Sequence, residues 1–442
     1  MADRAQSDHP EVQRQLDRLA LLSPGADILG LERITALLAR LGNPERRLPP
    51  VFHVAGTNGK GSTCAFLRAG IEAAGLRAHV YTSPHLVRFN ERIRLAGRLI
   101  ADEMLAELLA EVLAAAEGTE PSFFEATTAA AFLAFARVPA DACIVEVGLG
   151  GRLDATNVVP DPAACGIAQL GVDHQFFLGD RIEGIAAEKA GIAKAGVPLV
   201  TQLYPGRIAN RIGEAAAAAG AVWLPRGGRW DAAVSGQYAT YRDDEGTMKL
   251  PLPRLHGAHQ AMNAALAIAM LRHQKAVSVP ESALRAAMGA ADWPARLQAL
   301  APGPLRDILP EGSELWLDGG HNPAAARAVA DFFRDHLPPE RPFHIVFGLL
   351  ANKDPAGVLA PFAGRTASVL GVPVPDHPHH APAELAAAAE AAGMKGVAAR
   401  DVGDALASIA RQADRARPPA VLILGSLYLA GEVLRMNDQR PD

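Results

Sequence analysis

The sequence predicts an α/β protein of two units, each built on a mainly parallel sheet, with a phosphate-binding loop in the first. Three observations predict it. Short apolar runs alternate with longer helical patterns from residue 50 to about 225. The first of these runs ends in the glycine-rich segment Gly56-Thr57-Asn58-Gly59-Lys60-Gly61-Ser62, just before a helical pattern. A second, shorter alternation begins beyond a proline-rich stretch at Trp293–Pro304.

The apolar runs of the first unit are Val51–Val54, Ala78–Tyr81, Ala142–Val147, Ala164–Leu170, Val197–Val200 and Ala221–Leu224, all of strand length. Stretches rich in Ala, Leu and Glu, such as Glu103–Glu117 and Thr127–Ala136, supply the crossover helices that parallel strands need. Residues 228–254 break the alternation: Gln237 to Lys249 reads as an antiparallel hairpin with a polar turn around Asp243–Gly246. Helical patterns return at His259–Ala276 and Pro280–Ala290. Trp293–Pro304 contains three prolines and a glycine and reads as a junction, so the units are placed at 1–297 and 298–442. In the second unit, strands are expected at Glu314–Leu317, Phe343–Phe347, Ser368–Val372 and Val421–Leu424, with Pro323 at the first helical position after Leu317. Alanine-rich Ala215–Ala219 and Ala386–Ala389 read as helices with small faces.

At 442 residues a two-domain enzyme is the natural expectation. A net charge of −5 gives no overall basic field for nucleic acid. Met1 to Arg18 is polar and mixed in charge, so no signal peptide is expected, and no apolar run approaches the ~20 residues that cross a bilayer. Cys64, Cys143 and Cys165 are scattered, without metal-type spacing. Buried thiols in a reducing, cytoplasmic compartment fit them better than a disulfide scaffold.

Open parallel sheets bind ligands beyond the carboxyl ends of their strands, and the chemistry gathers there. In the loop from Gly56 to Ser62, glycines let backbone N–H groups close around oxyanions. Lys60 neutralises outer phosphates, the Ser62 hydroxyl can ligate Mg²⁺, and the following helix adds its positive end. The spacing departs from the usual phosphate-loop pattern: Val54 stands where its first glycine would fall, and Gly61 separates Lys60 from Ser62. Thr82-Ser83-Pro84-His85 follows Ala78–Tyr81, Gly148 to Gly151 follows the run that contains Glu146, and Asp173-His174 follows Ala164–Leu170. Glu146 sits where a strand-end acid holds Mg²⁺ directly or through water. Alone, Glu146 reads equally as a salt-bridge partner, His174 as a structural histidine and Ser83 as a turn residue; sharing one sheet edge is what gives them force. Lys189 reads from spacing alone as a surface lysine. Asn263 reads as an adenine or phosphate contact, or as a plain capping amide. Asp318-Gly-Gly-His321-Asn322-Pro323 places a carboxylate, an imidazole and an amide at the end of a second-unit strand, more than a structural turn requires.

The order of these segments resembles the dihydrofolate synthase/folylpolyglutamate synthase family of the Mur ligase superfamily. The likeness runs from Asp27-Ile-Leu-Gly-Leu-Glu-Arg33 to Gly425-Ser-Leu-Tyr-Leu-Ala-Gly-Glu432. Its markers are His53–Thr63, Tyr81–Leu86, Phe123–Thr127, Glu146–Asn157, Asp173-His174, Glu188–Ile192 and Leu317–Pro323. The resemblance implies an ATPase domain and a smaller Rossmann-like C-terminal domain. It implies ATP phosphates on Gly56–Ser62, with further ATP contacts from Asn263, Arg296 and Asp318. Mg²⁺ would be held by Ser83, Glu146 and His174, with room for a second divalent or monovalent cation. Lys189 matches a lysine that becomes carbamylated in the family. The pterin side maps to Ala26, Asp27, Ile28 and Leu29, to Ser122, Phe123 and Phe124, and to Leu153, Asp154 and Ala155. Incoming L-glutamate maps to His321 and Ser426. One departure is Gln260, where many relatives have asparagine, so only Asn263 is carried over as the amide contact.

The resemblance implies that a carboxylate of 7,8-dihydropteroate, or the γ-carboxylate of a reduced folate, attacks the γ-phosphate of ATP. The neutral amine of L-glutamate then attacks the acyl phosphate. Lys60, Glu146, His174, Lys189 and His321 are the expected catalytic groups, and a monomer is the expected state. Two rivals remain at this point. In a Mur-type peptidoglycan ligase, a UDP-sugar peptide would be the acceptor, but only about 50 residues precede the loop, too few for a typical separate nucleotide-sugar domain. A nucleotide-binding switch would leave Asp318–Pro323 unexplained.

Overall fold

The structure, a computed structural model, describes residues 5–22 and 29–442. Ala26, Asp27 and Ile28 lie outside the described residues. Two units separate: one holds the chain up to Arg254 with Gln260–Asp292, and the other holds Leu255–His259 with Trp293–Pro441.

The first unit is built on β1 (Val51–Ala55), β2 (Ala78–Tyr81), β3 (Ile93–Leu95), β4 (Arg98–Leu99), β5 (Ala142–Glu146), β6 (Ala164–Ile167), β7 (Pro198–Thr201) and β8 (Val222–Pro225). They form one sheet in the order β4-β3-β2-β5-β1-β6-β7-β8. From β2 to β8 all pairings are parallel, while β3 and β4 add an antiparallel hairpin at one edge. β1 and β5 are buried at every position, as strands covered on both faces must be. The register sets Val54 beside Glu146 and Ala55 beside Ile167, so these central strands finish together. The Ala164–Leu170 run stops as a strand at Ile167. Just beyond it, the Gln169 carbonyl turns to accept the N–H groups of Thr57 and Asn58, at 2.8 and 3.1 Å.

Below this sheet the helix Phe123–Arg137 is held at its start by a capping box. The Ser122 hydroxyl accepts from the Glu125 N–H at 3.2 Å, and Glu125 Oε2 accepts from the Ser122 N–H at 2.6 Å. Its alanines, among them Ala126, Ala129, Ala130 and Ala134, let it pack tightly, and Phe132 and Phe135 fill the space beside them. Each fully buried ring of that kind contributes about 1.5–3 kcal/mol. The predicted hairpin is present as β10 (Tyr238–Asp243) and β11 (Gly246–Pro251), and β9 (Trp230–Ser235) pairs with β10 as a third strand.

The second unit contains β12 (Gln298–Ala299), β13 (Glu314–Asp318), β14 (Phe343–Phe347), β15 (Ser368–Gly371), β16 (Gly396–Ala398) and β17 (Ala420–Leu424). The order is β12-β13-β17-β14-β15-β16, parallel throughout except at β12. Asn322 caps the helix Pro323–His336 by accepting from the Ala325 N–H at 2.9 Å, with Pro323 at its first position. No helix among the described residues is long and apolar enough to cross a membrane.

Candidate active site

The phosphate loop leaves β1 at Gly56 and enters the helix Lys60–Ala73 through Gly59, whose φ is +83°. A side chain there would be strained and crowded, since a Cβ would lie 2.4 Å from Asn263 Oδ1. Asn263 is therefore packed against the loop. Its Nδ2 donates to Gln260 Oε1 at 3.0 Å. Gln260 is fully buried and its own Nε2 has no protein partner. Ser62 is buried in the first turn of the Lys60 helix. Thr57 ties the loop to the next segment, donating from Oγ1 to the Gly171 carbonyl at 2.9 Å.

Glu146 ends β5 almost fully buried, and Lys60 Nζ lies 3.9 Å from its Oε1. The loop after Glu146 is organised by Asp154. Its Oδ2 accepts from the Leu149 N–H at 2.7 Å and its Oδ1 from the Thr156 N–H at 3.0 Å. Burial pushes the Asp154 carboxyl up against the opposing pull of these hydrogen bonds. The Thr156 hydroxyl donates to Asp154 Oδ1 and so accepts from His53 Nε2 at 2.8 Å. Burial and the charge of Lys194 lower His53 to about 3, leaving it a neutral donor on the phosphate strand itself.

Lys189 corrects the reading taken from spacing. It is 4% exposed, on the same helix face as Ile185, Ala186 and Ala190. Gly151 permits this approach: a Cβ there would lie 2.9 Å from the Lys189 carbonyl oxygen. Burial and then the charge of Lys60 lower the Lys189 pKa to about 7, while Asp173 and Asp154 pull the other way.

Of the pterin-side residues, Phe123 belongs to the core, edge-on to Phe89 at 6.1 Å. Phe124 keeps a partly open face and packs on Gly148, where a Cβ would lie 2.4 Å from its Cζ. Ser122 is used in the capping box, Ala155 is buried, and Leu29 and Leu153 are half-buried. Ser83 is half-buried after β2, with a cis bond to Pro84. His174 is exposed beyond β6, with φ +52°, and its N–H is capped by Asp173 Oδ1 at 2.8 Å.

In the second unit Asp318 ends β13 with both oxygens engaged. Oδ2 accepts from the Leu297 N–H at 2.8 Å and Oδ1 from the Gly320 N–H at 2.7 Å. That clamp holds Arg296 between Ala295 (φ +56°) and Leu297 (φ +43°), two residues in a region glycine usually occupies. His259, passed over in the sequence, belongs here: burial and Arg296 lower its pKa, and Asp318 raises it. His321 Nδ1 lies 3.2 Å from the Gly319 carbonyl oxygen. Ser426 is buried after β17, accepting from the Tyr428 N–H at 3.1 Å.

Among the described residues no group of three or more His, Cys, Asp or Glu side chains is gathered as a metal site. The donors present fit a hard cation better: one buried carboxylate, Glu146, with hydroxyls and an imidazole on neighbouring strand ends, next to a loop built for phosphate oxygens.

Known proteins share this architecture. The Mur ligase, glutamate ligase domain matches residues 307–427. The dihydrofolate synthase/folylpolyglutamate synthase of Bacillus subtilis is 37% identical over 342 residues, 73% of this chain and 76% of its own. That of Escherichia coli is 34% identical over 424 residues, 93% of this chain and 92% of its own. The structure of Escherichia coli FolC in complex with DHPP and ADP superposes with a TM-score of 0.85 at 33% identity, covering 98% of this chain and 99% of that one. A bifunctional folylpolyglutamate synthase/dihydrofolate synthase with Mn, AMPPNP and L-glutamate bound has a TM-score of 0.83 at 31% identity, covering 95% and 97%. With likeness of this extent in both sequence and fold, the chain belongs to the dihydrofolate synthase/folylpolyglutamate synthase family of ATP-dependent ligases.

Proposed function

We propose that this chain uses ATP to join L-glutamate to 7,8-dihydropteroate and to the γ-carboxyl of reduced folates. The observation that carries the reading is one sheet edge on which the loop at Gly59, the Lys60–Glu146 pair and the buried Lys189 meet. The ligand-bound relatives, with ADP and DHPP or with AMPPNP, Mn and L-glutamate, support the same substrates.

The loop amides from Gly56 to Ser62 and the Lys60 ammonium hold the phosphates and stabilise charge on the transferring phosphoryl group. Glu146, Ser83 and His174, with Ser62 at the helix start, are the residues that would hold Mg²⁺, whose chemistry is to neutralise phosphate oxygens. Asn263 fixes the loop from behind, and Arg296 and Asp318 are assigned to ATP. The acceptor carboxylate attacks the γ-phosphate and ADP leaves. L-glutamate, assigned to His321 and Ser426, then attacks the acyl carbon through its neutral amine, and phosphate departs. Lys189, neutral above about pH 7, carries the lone pair that carbamylation by CO₂ requires. Residues 1–297 are proposed as the ATP-binding catalytic domain and 298–442 as the glutamate ligase domain, which also supplies Asp318 to ATP. Free, buried Cys64, Cys143 and Cys165 suit a reducing compartment, and the cytoplasm is proposed.

The test is ADP release by the purified chain with MgATP and L-glutamate, with dihydropteroate, a reduced folate, or neither. Release that depends on both an acceptor and glutamate supports the reading. Release indifferent to acceptor would point to a plain ATPase, and release only with a UDP-sugar peptide to a peptidoglycan ligase.

A further inference from the structure

We propose that Tyr204 is a positioning residue for ATP: its hydroxyl holds the segment Ala168–Gly171, and that segment holds the first half of the phosphate loop. The proposal rests on the ATP-dependent ligation given above.

The order β1-β6-β7 sets the exits of three parallel strands side by side. The middle exit, Ala168–Gly171, is laced to the loop that leaves β1. The Ala168 N–H donates to the Ala55 carbonyl at 2.8 Å, and the Gln169 carbonyl accepts the N–H groups of Thr57 and Asn58. Gly171 exchanges two hydrogen bonds with the Thr57 hydroxyl: its carbonyl accepts at 2.9 Å and its N–H donates at 3.1 Å. Gly56 rests directly on Ala168, since a Cβ at Gly56 would lie 2.9 Å from Ala168 Cβ. The path of the loop from Gly56 to Asn58 is therefore copied from this segment.

Tyr204 fixes the segment from the β7 side. Its ring packs on the apolar cluster that contains Ala55, Val147 and Ile167. Pro205 follows and restricts the Tyr204 backbone. The hydroxyl reaches back to the end of β6, 2.9 Å from the Ile167 carbonyl oxygen and 2.5 Å from that of Ala168. A phenol has one proton to give. The Ile167 carbonyl also accepts the Gln202 N–H, at 3.4 Å, so the phenol proton goes to the nearer Ala168. Phenylalanine would fill the same apolar cluster; only the hydroxyl reaches the carbonyl. Gln202, from the same exit, donates through Nε2 to the Met262 carbonyl at 2.7 Å, one residue before Asn263. The β7 exit thus braces both supports of the loop, the Ala168 segment and the helix that places Asn263 against Gly59. Without the hydroxyl the Ala168 carbonyl loses its partner, and the Gln169 carbonyl and Thr57 shift with it. The loop amides then meet the phosphates less well. The acceptor and L-glutamate are assigned to other residues and should not register the change.

Steady-state kinetics of the full chain, of Tyr204→Phe, of Thr57→Val and of the double variant test this. Tyr204→Phe should raise KM for ATP roughly threefold to tenfold, the worth of one hydrogen bond. KM for dihydropteroate and for L-glutamate should stay within about twofold. kcat should also stay within about twofold, because the segment shapes nucleotide binding before and during phosphoryl transfer alike. Thr57→Val cuts the same segment from the loop end and should raise KM for ATP as well. The double variant should fall short of the product of the two single effects, since both act through Ala168–Gly171. A tyrosine that served the fold alone would lower the urea midpoint without separating ATP from the other substrates. An unchanged KM for ATP in Tyr204→Phe, an equal rise for all three substrates, or a double variant that multiplies the single effects would each overturn the proposal. Failure of the parent chain to consume ATP when acceptor and glutamate are supplied would remove the functional reading itself, and that measurement comes first.

Discussion

His53 Nε2 and Thr156 Oγ1 meet at 2.8 Å across 103 residues of sequence, joining the strand that feeds the phosphate loop to the loop that follows Glu146. Thr156 passes the contact on to Asp154, so one hydroxyl serves two buried partners. Thr156→Val keeps the shape and removes the hydroxyl. It should lower unfolding free energy by about 1–3 kcal/mol, the cost of leaving buried polar groups unpaired. Thr156→Ser should recover most of that, as measured by urea denaturation.

Gly59→Ala should weaken nucleotide binding far more than it weakens folding. The new Cβ meets the Asn263 amide and the backbone sits at φ +83°. The strain is about 1–2 kcal/mol, and relief requires the loop to move. Titration with a non-hydrolysable ATP analogue should show affinity down roughly tenfold or more.

Lys60→Ala and Glu146→Gln should each reduce ligation by at least about a hundredfold while the chain stays folded. Near-normal turnover of either variant would remove these residues from the site. Circular dichroism alongside the ADP assay separates loss of chemistry from loss of fold.

Lys189 gives a pH dependence with a definite sign. Its folded pKa of about 7 lies below the ordinary 10.5, so between these values the unfolded chain binds the extra proton. Stability from this group therefore rises with pH from about 7 to 10.5, and its burial penalty is complete below 7. Lys189→Met should raise the melting temperature more at pH 6 than at pH 9 and abolish ligation. In the parent chain, bicarbonate should stimulate activity more strongly as pH rises through 7.

The central strands were legible because apolar runs of four to seven residues leading into glycine have few other homes in an α/β chain. The hairpin of β3 and β4 was not, because two- and three-residue strands carrying Arg94 and Arg98 leave no apolar period to read. β16 is three residues at a sheet edge and escaped for the same reason. The phosphate loop and Asp318–Pro323 announced themselves by combining glycine with charged groups. Lys189 was misread although its signal was present: Ile185, Ala186 and Ala190 share its helix face, and a lysine on an apolar face is a buried lysine. His259 needed three dimensions, since nothing in the chain order brings it to Asp318.

The paired left-handed residues around Arg296 have a consequence for anyone redesigning this protein. Ala295→Gly would relax the backbone on one side of the arginine and loosen the turn that presents it. With Arg296 proposed as an ATP contact, a library ranked by heat tolerance should reward that change, and the same library ranked by product formed should discard it.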